Sequence, residues 1–395
     1  MSGPASPEPP PEVGGRALTT YAELAWLFGR LGATSIGGPA AHIAMMQDEV
    51  VRRRRWLSEE EFLDRLGATN LIPGPNSTEL ALHIGLERRG ILGLLVAGGA
   101  FILPAALLSL GCAWAYVRYG ALPVTGACLM GVKPVVLAIV VQALLRLTPS
   151  AARALRLRVL GAAALVGSLL GVGEVAMLFL AGGIEAVARG RGWTRPRDGA
   201  AAMFALPFGG FATASVSAGV SSVFWVFLKI GSVLFGSGYV LLAFLREELV
   251  TRRGWLLESQ LLDAVAVGQV TPGPVFTTAT FIGYLVAGTG GAAAATIGIF
   301  LPAFVLVALS GPLVPRLRRS RLAAGFLDGV NVASLGLLAA VTLTLGRAAL
   351  VDPTTVALGL AAAVLLVRFD VNASWLVLVG AAVGVGLDAL GLAPH

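Results

Sequence analysis

The 395-residue chain is 56% apolar and only 13% charged, with a formal net charge of +7 and a mean hydropathy of +0.82. Soluble domains carry about one charged residue in four, so a soluble globular class is excluded. The basic balance does not point to nucleic acid, because the arginines stand mainly in short loops between apolar runs, where membrane topology puts them.

Residues 1–20, rich in Pro and Glu, lack the basic-then-apolar order of a signal peptide and read as a disordered tail. The next stretch, 21–46, is moderately apolar and broken by glycines. A basic loop with Arg53, Arg54, Trp56 and Leu57 follows, its Trp an interfacial anchor. A second broken stretch, 62–86, centres on Pro73-Gly74-Pro75. Beyond it, 91–117 and 121–145 are each long enough for the ~20 apolar residues that cross a bilayer core. Residues 159–188 fit one tilted span or two short ones. The arginine-rich 189–221 reads as a linker between two units, 21–188 and 222–395.

The second unit repeats the first. Residues 31–86 align without a gap onto 230–285, placing Pro272-Gly273-Pro274 on Pro73-Gly74-Pro75 and Arg252-Arg253 on Arg53-Arg54. One residue is then lost, and Gly85, Gly93 and Pro104 pair with Gly283, Gly291 and Pro302. Spans follow at 292–314 and 322–345, with a short pair at 354–367 and 374–392. The fold expected is an all-α polytopic membrane protein of two homologous repeats with broken or re-entrant helices. The arginine clusters at 146–158 and 316–321 share the cytoplasmic side only if the repeats are inverted, which is the arrangement expected.

A duplicated apolar unit with Pro/Gly breaks at matching places points to a secondary transporter and its binding site. Pro-Gly-Pro stops helical geometry twice. Hydrocarbon tolerates the freed backbone only where it is buried in protein or lines a polar cavity. The helix that restarts, at Asn76-Ser77-Thr78 in one half and Thr277 in the other, presents unpaired N–H groups and roughly half a positive charge, which suits an anion. Asn70 and Gln269 flank the two breaks; the competing reading is a structural kink. Arg30 and Lys229 are equivalent cations within apolar stretches, which suggests work on an anion, against snorkelling or pairing with Glu49 and Glu248. Ser35, Gly37, Gly38 and Gly236 mark a second break in each half and complete the expected cradle, with close helix packing as the alternative.

The candidates for carrying a coupled proton are Glu49, Glu79, His83, Glu248, Lys133 and Asp328. Lys133 and Asp328 are placed to pair with each other across the repeats, and Asp64 and Asp263 read as loop or helix-start caps. Cys112 and Cys128 read as packing residues. With three histidines in the chain no metal cluster assembles and no cofactor is expected.

The run 35–42 (Ser-Ile-Gly-Gly-Pro-Ala-Ala-His), the Arg-Arg-Trp-Leu loop at 54–57, the run 71–78 (Leu-Ile-Pro-Gly-Pro-Asn-Ser-Thr) and the run 326–331 (Phe-Leu-Asp-Gly-Val-Asn) together resemble the chromate ion transporter family, in its long two-repeat form. The resemblance implies efflux of chromate across the bacterial cytoplasmic membrane under the proton-motive force, with sulfate as a competing oxyanion. It departs in the second half, where Val275-Phe276 replace Asn76-Ser77, so the halves are expected to do unequal work. The expected partners are an oxyanion, protons or another coupling ion, the lipid bilayer and a second copy of the chain in a homodimer. A carrier of another oxyanion, an anion channel and a membrane enzyme acting on a phosphate remain the alternatives. Against the enzyme stand the missing acid–base cluster and the missing Walker-type loop.

Overall fold

The computed structural model describes residues 19–35, 38–69, 72–120, 123–190, 218–234, 240–369 and 371–390. Helix starts follow from local chemistry. Thr20 opens α1 (Tyr21–Thr34) with a reciprocal cap: Glu23 N–H donates to Thr20 Oγ1 at 3.1 Å, and Thr20 N–H donates to Glu23 Oε2 at 2.7 Å. After α2 (Gly38–Gln47) and a π-helical turn (Asp48–Arg53), Ser58 and Glu61 form the same box at the head of α3 (Glu59–Thr69). The Pro-Gly-Pro turn then leads into α4 (Asn76–Tyr119), which is not straight: Arg89 and Gly90 leave helical torsions. Gly85 packs against Gly93 so closely that neither has room for a Cβ. Residues 76–88 and 91–119 are therefore an antiparallel hairpin, closed by glycines.

The remaining first-repeat helices are α5 (Pro123–Ala151), α6 (Leu155–Leu169) and α7 (Glu174–Gly190). The second repeat supplies α8 (Val220–Val233), α9 (Leu241–Leu245) with a π-helical turn (Arg246–Thr251), α10 (Glu258–Val270) and, after a short 3-10 turn, α11 (Thr278–Arg319). It ends in α12 (Arg321–Ala349), α13 (Pro353–Phe369) and α14 (Ala373–Ala389). α11 folds back at Ala287-Gly288 as α4 does at Arg89-Gly90, with Gly283 against Gly291 and Thr280 Oγ1 2.7 Å from Thr296 Oγ1.

Contacts at the helix ends fix how the first repeat is wound. Arg88 and Arg89 at the α4 turn donate to Thr19 Oγ1 (2.7 Å) and Thr19 O (2.5 Å), at the head of α1. Arg88 lies 5.5 Å over the Trp56 ring, and Arg65 of α3 pairs with Glu87 at 3.1 Å. The start of α1, the basic loop and the α4 turn thus share one end of the protein. The α1–α2 pair and the α3–α4 half-helix pair both enter from that end and return to it. In the second repeat Gly290 beside the α11 turn faces Val220 at the head of α8, where an added Cβ would stand 3.1 Å from Val220 Cγ2, the same arrangement.

The later helices are exchanged between repeats. α6 and α7 pack on α12, whereas α13 and α14 pack on α5. Small residues permit these crossings: Gly131 against Gly380 and Gly384, Gly329 against Ala181 and Gly182, Gly336 against Gly161. Among the described residues four helices are long and apolar enough to cross a membrane, within Asn76–Tyr119, Gly126–Ala151, Val275–Ser310 and Arg321–Ala349. Exposed Trp26, Leu92, Leu103, Leu155, Leu360 and Trp375 clothe the outside, as a lipid-facing surface requires.

Candidate functional site

The two proline turns lock into each other's repeats. Gly74 N–H donates to Leu234 O at 2.8 Å, at the end of α8, and Gly273 N–H donates to Ser35 O at 2.9 Å, at the end of α1. Both pairs are equivalent positions in the repeat, so the interlock is reciprocal. Gly74 (φ +143°) and Gly273 (φ +92°) hold torsions that side chains oppose. A Cβ at Gly273 would stand 2.6 Å from Ala105 Cβ and 2.7 Å from Gly32 O. The turns are buried in protein, with Pro73, Gly74, Pro75, Gly273 and Pro274 sealed and Pro272 partly so.

Around the first turn the side chains are polar. The Ser35 carbonyl can only accept, so His42 Nε2 donates to it (3.1 Å) and His42 Nδ1 accepts from Ser77 Oγ (3.3 Å). Ser35 Oγ, Thr78 Oγ1, both Glu79 carboxylate oxygens and His83 Nε2 are buried without a hydrogen-bond partner among the described residues. Buried polar groups are normally paired, so a run of such atoms beside a helix start marks a place built for something polar. Asn76 is half-buried at that start.

Around the second turn the character changes. A cavity there is lined by Leu241, Leu242, Val265, Gln269, Val275 and Thr278. The same positions one repeat earlier are His42, Ile43, Leu66, Asn70, Asn76 and Glu79. Thr277 and Thr278 turn their hydroxyls back to Pro274 O and Val275 O, both at 2.8 Å. Gln269 O accepts from Ser374 Oγ of α14 at 3.2 Å. Gly37, Asn70 and Gly236 lie outside the described residues, while Gly38 begins α2.

The paired cations sit off the turns, each on a glutamate. Arg30 meets Glu49 at 2.5 Å, joined by Arg53 (3.2 Å) and Arg54 (3.4 Å). Lys229 contacts Glu248, joined by Arg252 (3.5 Å) and Arg253 (3.7 Å). Asp48 and Glu247 take a second contact from Arg53 and Arg252, both at 2.8 Å. Each repeat therefore sets three cations against two carboxylates.

Two expectations need correction. Lys133 does not pair with Asp328. It lies 3.4 Å from Asp263, which also accepts from Tyr116 OH at 2.9 Å, whereas Asp328 contacts Arg189. The cause is the helix exchange, which brings α10 to α5 and α7 to α12. Asp263 is accordingly no cap but a buried residue inside α10; Asp64, its equivalent, is exposed. His42, bridging two of the expected site residues, is the group that sequence reasoning passed over. Its signal was a histidine at the position where the other repeat has Leu241.

These features define a class: a multi-pass helical membrane protein of two homologous repeats with interlocked proline turns inside the protein, the plan on which secondary transporters are built. Comparison with known proteins gives the particular family. The family model described as Chromate transporter matches residues 22–186 and again 221–385. A chromate transport protein of Cupriavidus metallidurans is 33% identical over 404 residues, covering 99% of this chain and 100% of that protein. A probable chromate transport protein of Synechococcus elongatus is 32% identical over 86% of this chain and 88% of its own length. One from Pseudomonas aeruginosa is 32% identical, covering 83% and 82%. No solved structure matches. The chain belongs to the chromate transporter family.

Proposed function

We propose that this chain is a secondary carrier that exports chromate from the cytoplasm under the proton-motive force, by alternating access around one site between two inverted repeats. The observation that carries the reading is the reciprocal bonding of Gly74 to Leu234 and Gly273 to Ser35, which joins both broken segments into one buried hub. In the proposal the helix starting at Asn76 turns its amides toward the oxyanion. Ser35 and Thr78 donate hydrogen bonds from their hydroxyls, while the Ser77 hydroxyl is held by His42. Arg30 and Lys229, with their neighbouring arginines, supply the excess positive charge that draws an anion in.

Support for inversion comes from helix lengths. Tyr116 lies about 26 residues, roughly 39 Å of helix, past the Gly90 turn, whereas Phe281 lies about 7 residues, roughly 10 Å, from the Gly288 turn. Their rings are 5.4 Å apart. Parallel repeats would separate them by roughly 30 Å. Support for alternating access comes from inequality between equivalent parts: α10 packs on α5, α12 and α14, whereas α3 packs mainly on α4.

Support for export comes from charge. Moving one charge across 100 mV is worth about 2.3 kcal/mol, so a dianion gains about 4.6 kcal/mol on leaving an inside-negative cell. That sustains a gradient of roughly a few thousandfold. The substrate comes from the family and its named relatives. Counterflow in proteoliposomes, with chromate or sulfate inside and labelled chromate or sulfate outside, tests the assignment. Chromate exchange is expected, with sulfate competing. Exchange of sulfate alone would transfer the reading to another oxyanion, and a current far beyond carrier turnover would make the protein a channel.

A further inference from the structure

Glu79 stands in the first turn of the half-helix that leaves Pro73-Gly74-Pro75, 0% exposed and with neither oxygen hydrogen-bonded among the described residues. Its Oε1 fills the space that a side chain at Gly74 would need, so the carboxyl group lies in the hollow of the proline turn. The cations of the neighbouring elements are engaged elsewhere: Arg30 of α1 with Glu49, Arg65 of α3 with Glu87, and Lys229 of α8 with Glu248. α2 brings His42, bonded to Ser35 and Ser77, and α11 meets Gly74 only with the methyl of Ala303. His83, one turn further along α4, leaves its Nε2 without a partner as well, so it does not hold the carboxyl group. An ionised carboxylate here would be an uncompensated buried charge, and keeping the proton costs less. The group is a neutral acid, one O–H donor and one acceptor, with nothing to meet either.

A buried polar group without a partner destabilises the empty protein. At the first proline turn Ser35 Oγ, Thr78 Oγ1 and His83 Nε2 share that condition with Glu79. At the second turn Thr278 takes the place of Glu79 and returns its hydroxyl to Val275 O at 2.8 Å. The unmet groups therefore belong to one of the two turns, the one whose lining is polar.

Resting on the reading of this hub as an oxyanion site, we propose that Glu79 binds the oxyanion as a neutral acid, donating its O–H to an anion oxygen at the Gly74 hollow. An apolar enclosure can hold a carboxylic acid neutral at pH 7 for this purpose. A hydrogen bond from O–H to a charged oxygen is of the short, strong class. Glu79 keeps its proton when the anion arrives and when it leaves, so no proton travels with the substrate. In this role Glu79 is a ligand and not a carrier of the coupled proton. The proton-motive force then acts through the charge of the dianion, whose exit from an inside-negative cell the membrane potential favours.

The experiment measures binding of sulfate and of chromate to the purified full chain in detergent above neutral pH, where neither probe carries a proton. Proton exchange is followed by an indicator dye in weak buffer, and melting is followed without oxyanion. The wild type should bind with no net proton uptake. Glu79→Gln, whose amide N–H donates in place of the O–H, should bind within roughly a few fold of wild type. Glu79→Met, close in size but without a donor, should bind about tenfold weaker or worse. Freed of an unpaired polar group, it should melt no lower than wild type. Weaker binding with undiminished stability separates a ligand from a structural residue. A methionine variant that binds like wild type would overturn the proposal, as would a glutamine variant as weak as methionine or an uptake approaching one proton. Glu79→Leu reads the same quantities if the methionine variant does not accumulate, and failure of both to fold would make the side chain structural and overturn the proposal too. A wild type that binds neither oxyanion would instead overturn the site reading, and this inference with it.

Discussion

Gly74 of the first repeat donates its backbone hydrogen to Leu234 of the second across 2.8 Å, and the equivalent bond runs back from Gly273 to Ser35. Each repeat therefore completes the helix end of the other, and the hub cannot form from one unit alone. Both glycines have torsions that a side chain strains, and at Gly273 a methyl also meets Ala105 and Gly32. Gly273→Ala is expected to cost about 1–3 kcal/mol of stability and Gly74→Ala to displace Glu79. Thermal unfolding in detergent and chromate flux check both. Wild-type values for Gly273→Ala would remove the close packing inferred here.

Lys229 neutralises one side of Glu248, leaving Arg252 and Arg253 at longer range. Lys229→Ala should lower chromate transport at least tenfold while the protein still reaches the membrane, with about 1–3 kcal/mol lost from an incompletely paired buried carboxylate. Arg30→Ala should do the same in the first repeat. Cells that keep full chromate resistance with either variant would confine these cations to a structural role.

The Lys133–Asp263–Tyr116 cluster crosses between repeats, and its equivalents, Asp64 and Asn331, carry no matching pair of charges. Breaking it from one side should be worse than removing both charges. Lys133→Met strands a buried carboxylate and is expected to cost about 3 kcal/mol, with much of that recovered in the double variant Lys133→Met/Asp263→Asn. A thermal-shift double-mutant cycle measures the difference. Simple additivity would mean that the two side chains do not interact.

Arg55 has φ +50°, the one described non-glycine residue in the left-handed region, and its equivalent in the second repeat is Gly254 with φ +60°. Arg55→Gly should relieve about 1 kcal/mol of backbone strain. A raised melting temperature in detergent is the expected reading.

Much of this architecture was legible in the chain because duplication exposes itself at fixed spacing. The proline turns and the glutamates that meet the paired cations lie within the gapless stretch 31–86 and its copy, and Arg30 and Lys229 stand one residue before each. The helices beyond that stretch were harder to read. Apolar periodicity shows that α5 and α12 are buried, but not which neighbours bury them, so the exchange of α6–α7 and α13–α14 was invisible. With it went the partners of Lys133 and Asp328. The break at Arg89-Gly90 was legible, because Glu87, Arg88 and Arg89 part the stretch 62–86 from the span 91–117; the close pairing of Gly85 with Gly93 that lets the chain fold back there was not. Glu79 was visible only as one acidic residue among several; its isolation from every cation required the packed structure.

The most direct test of the central claim is chromate uptake into everted membrane vesicles energised by respiration, comparing wild type with Pro73→Ala and adding an uncoupler. Inward flux into wild-type vesicles, collapsing with the uncoupler and lost in a Pro73→Ala protein present at normal level, is the result predicted. Undiminished flux in Pro73→Ala, or wild-type flux indifferent to the uncoupler, would contradict the account.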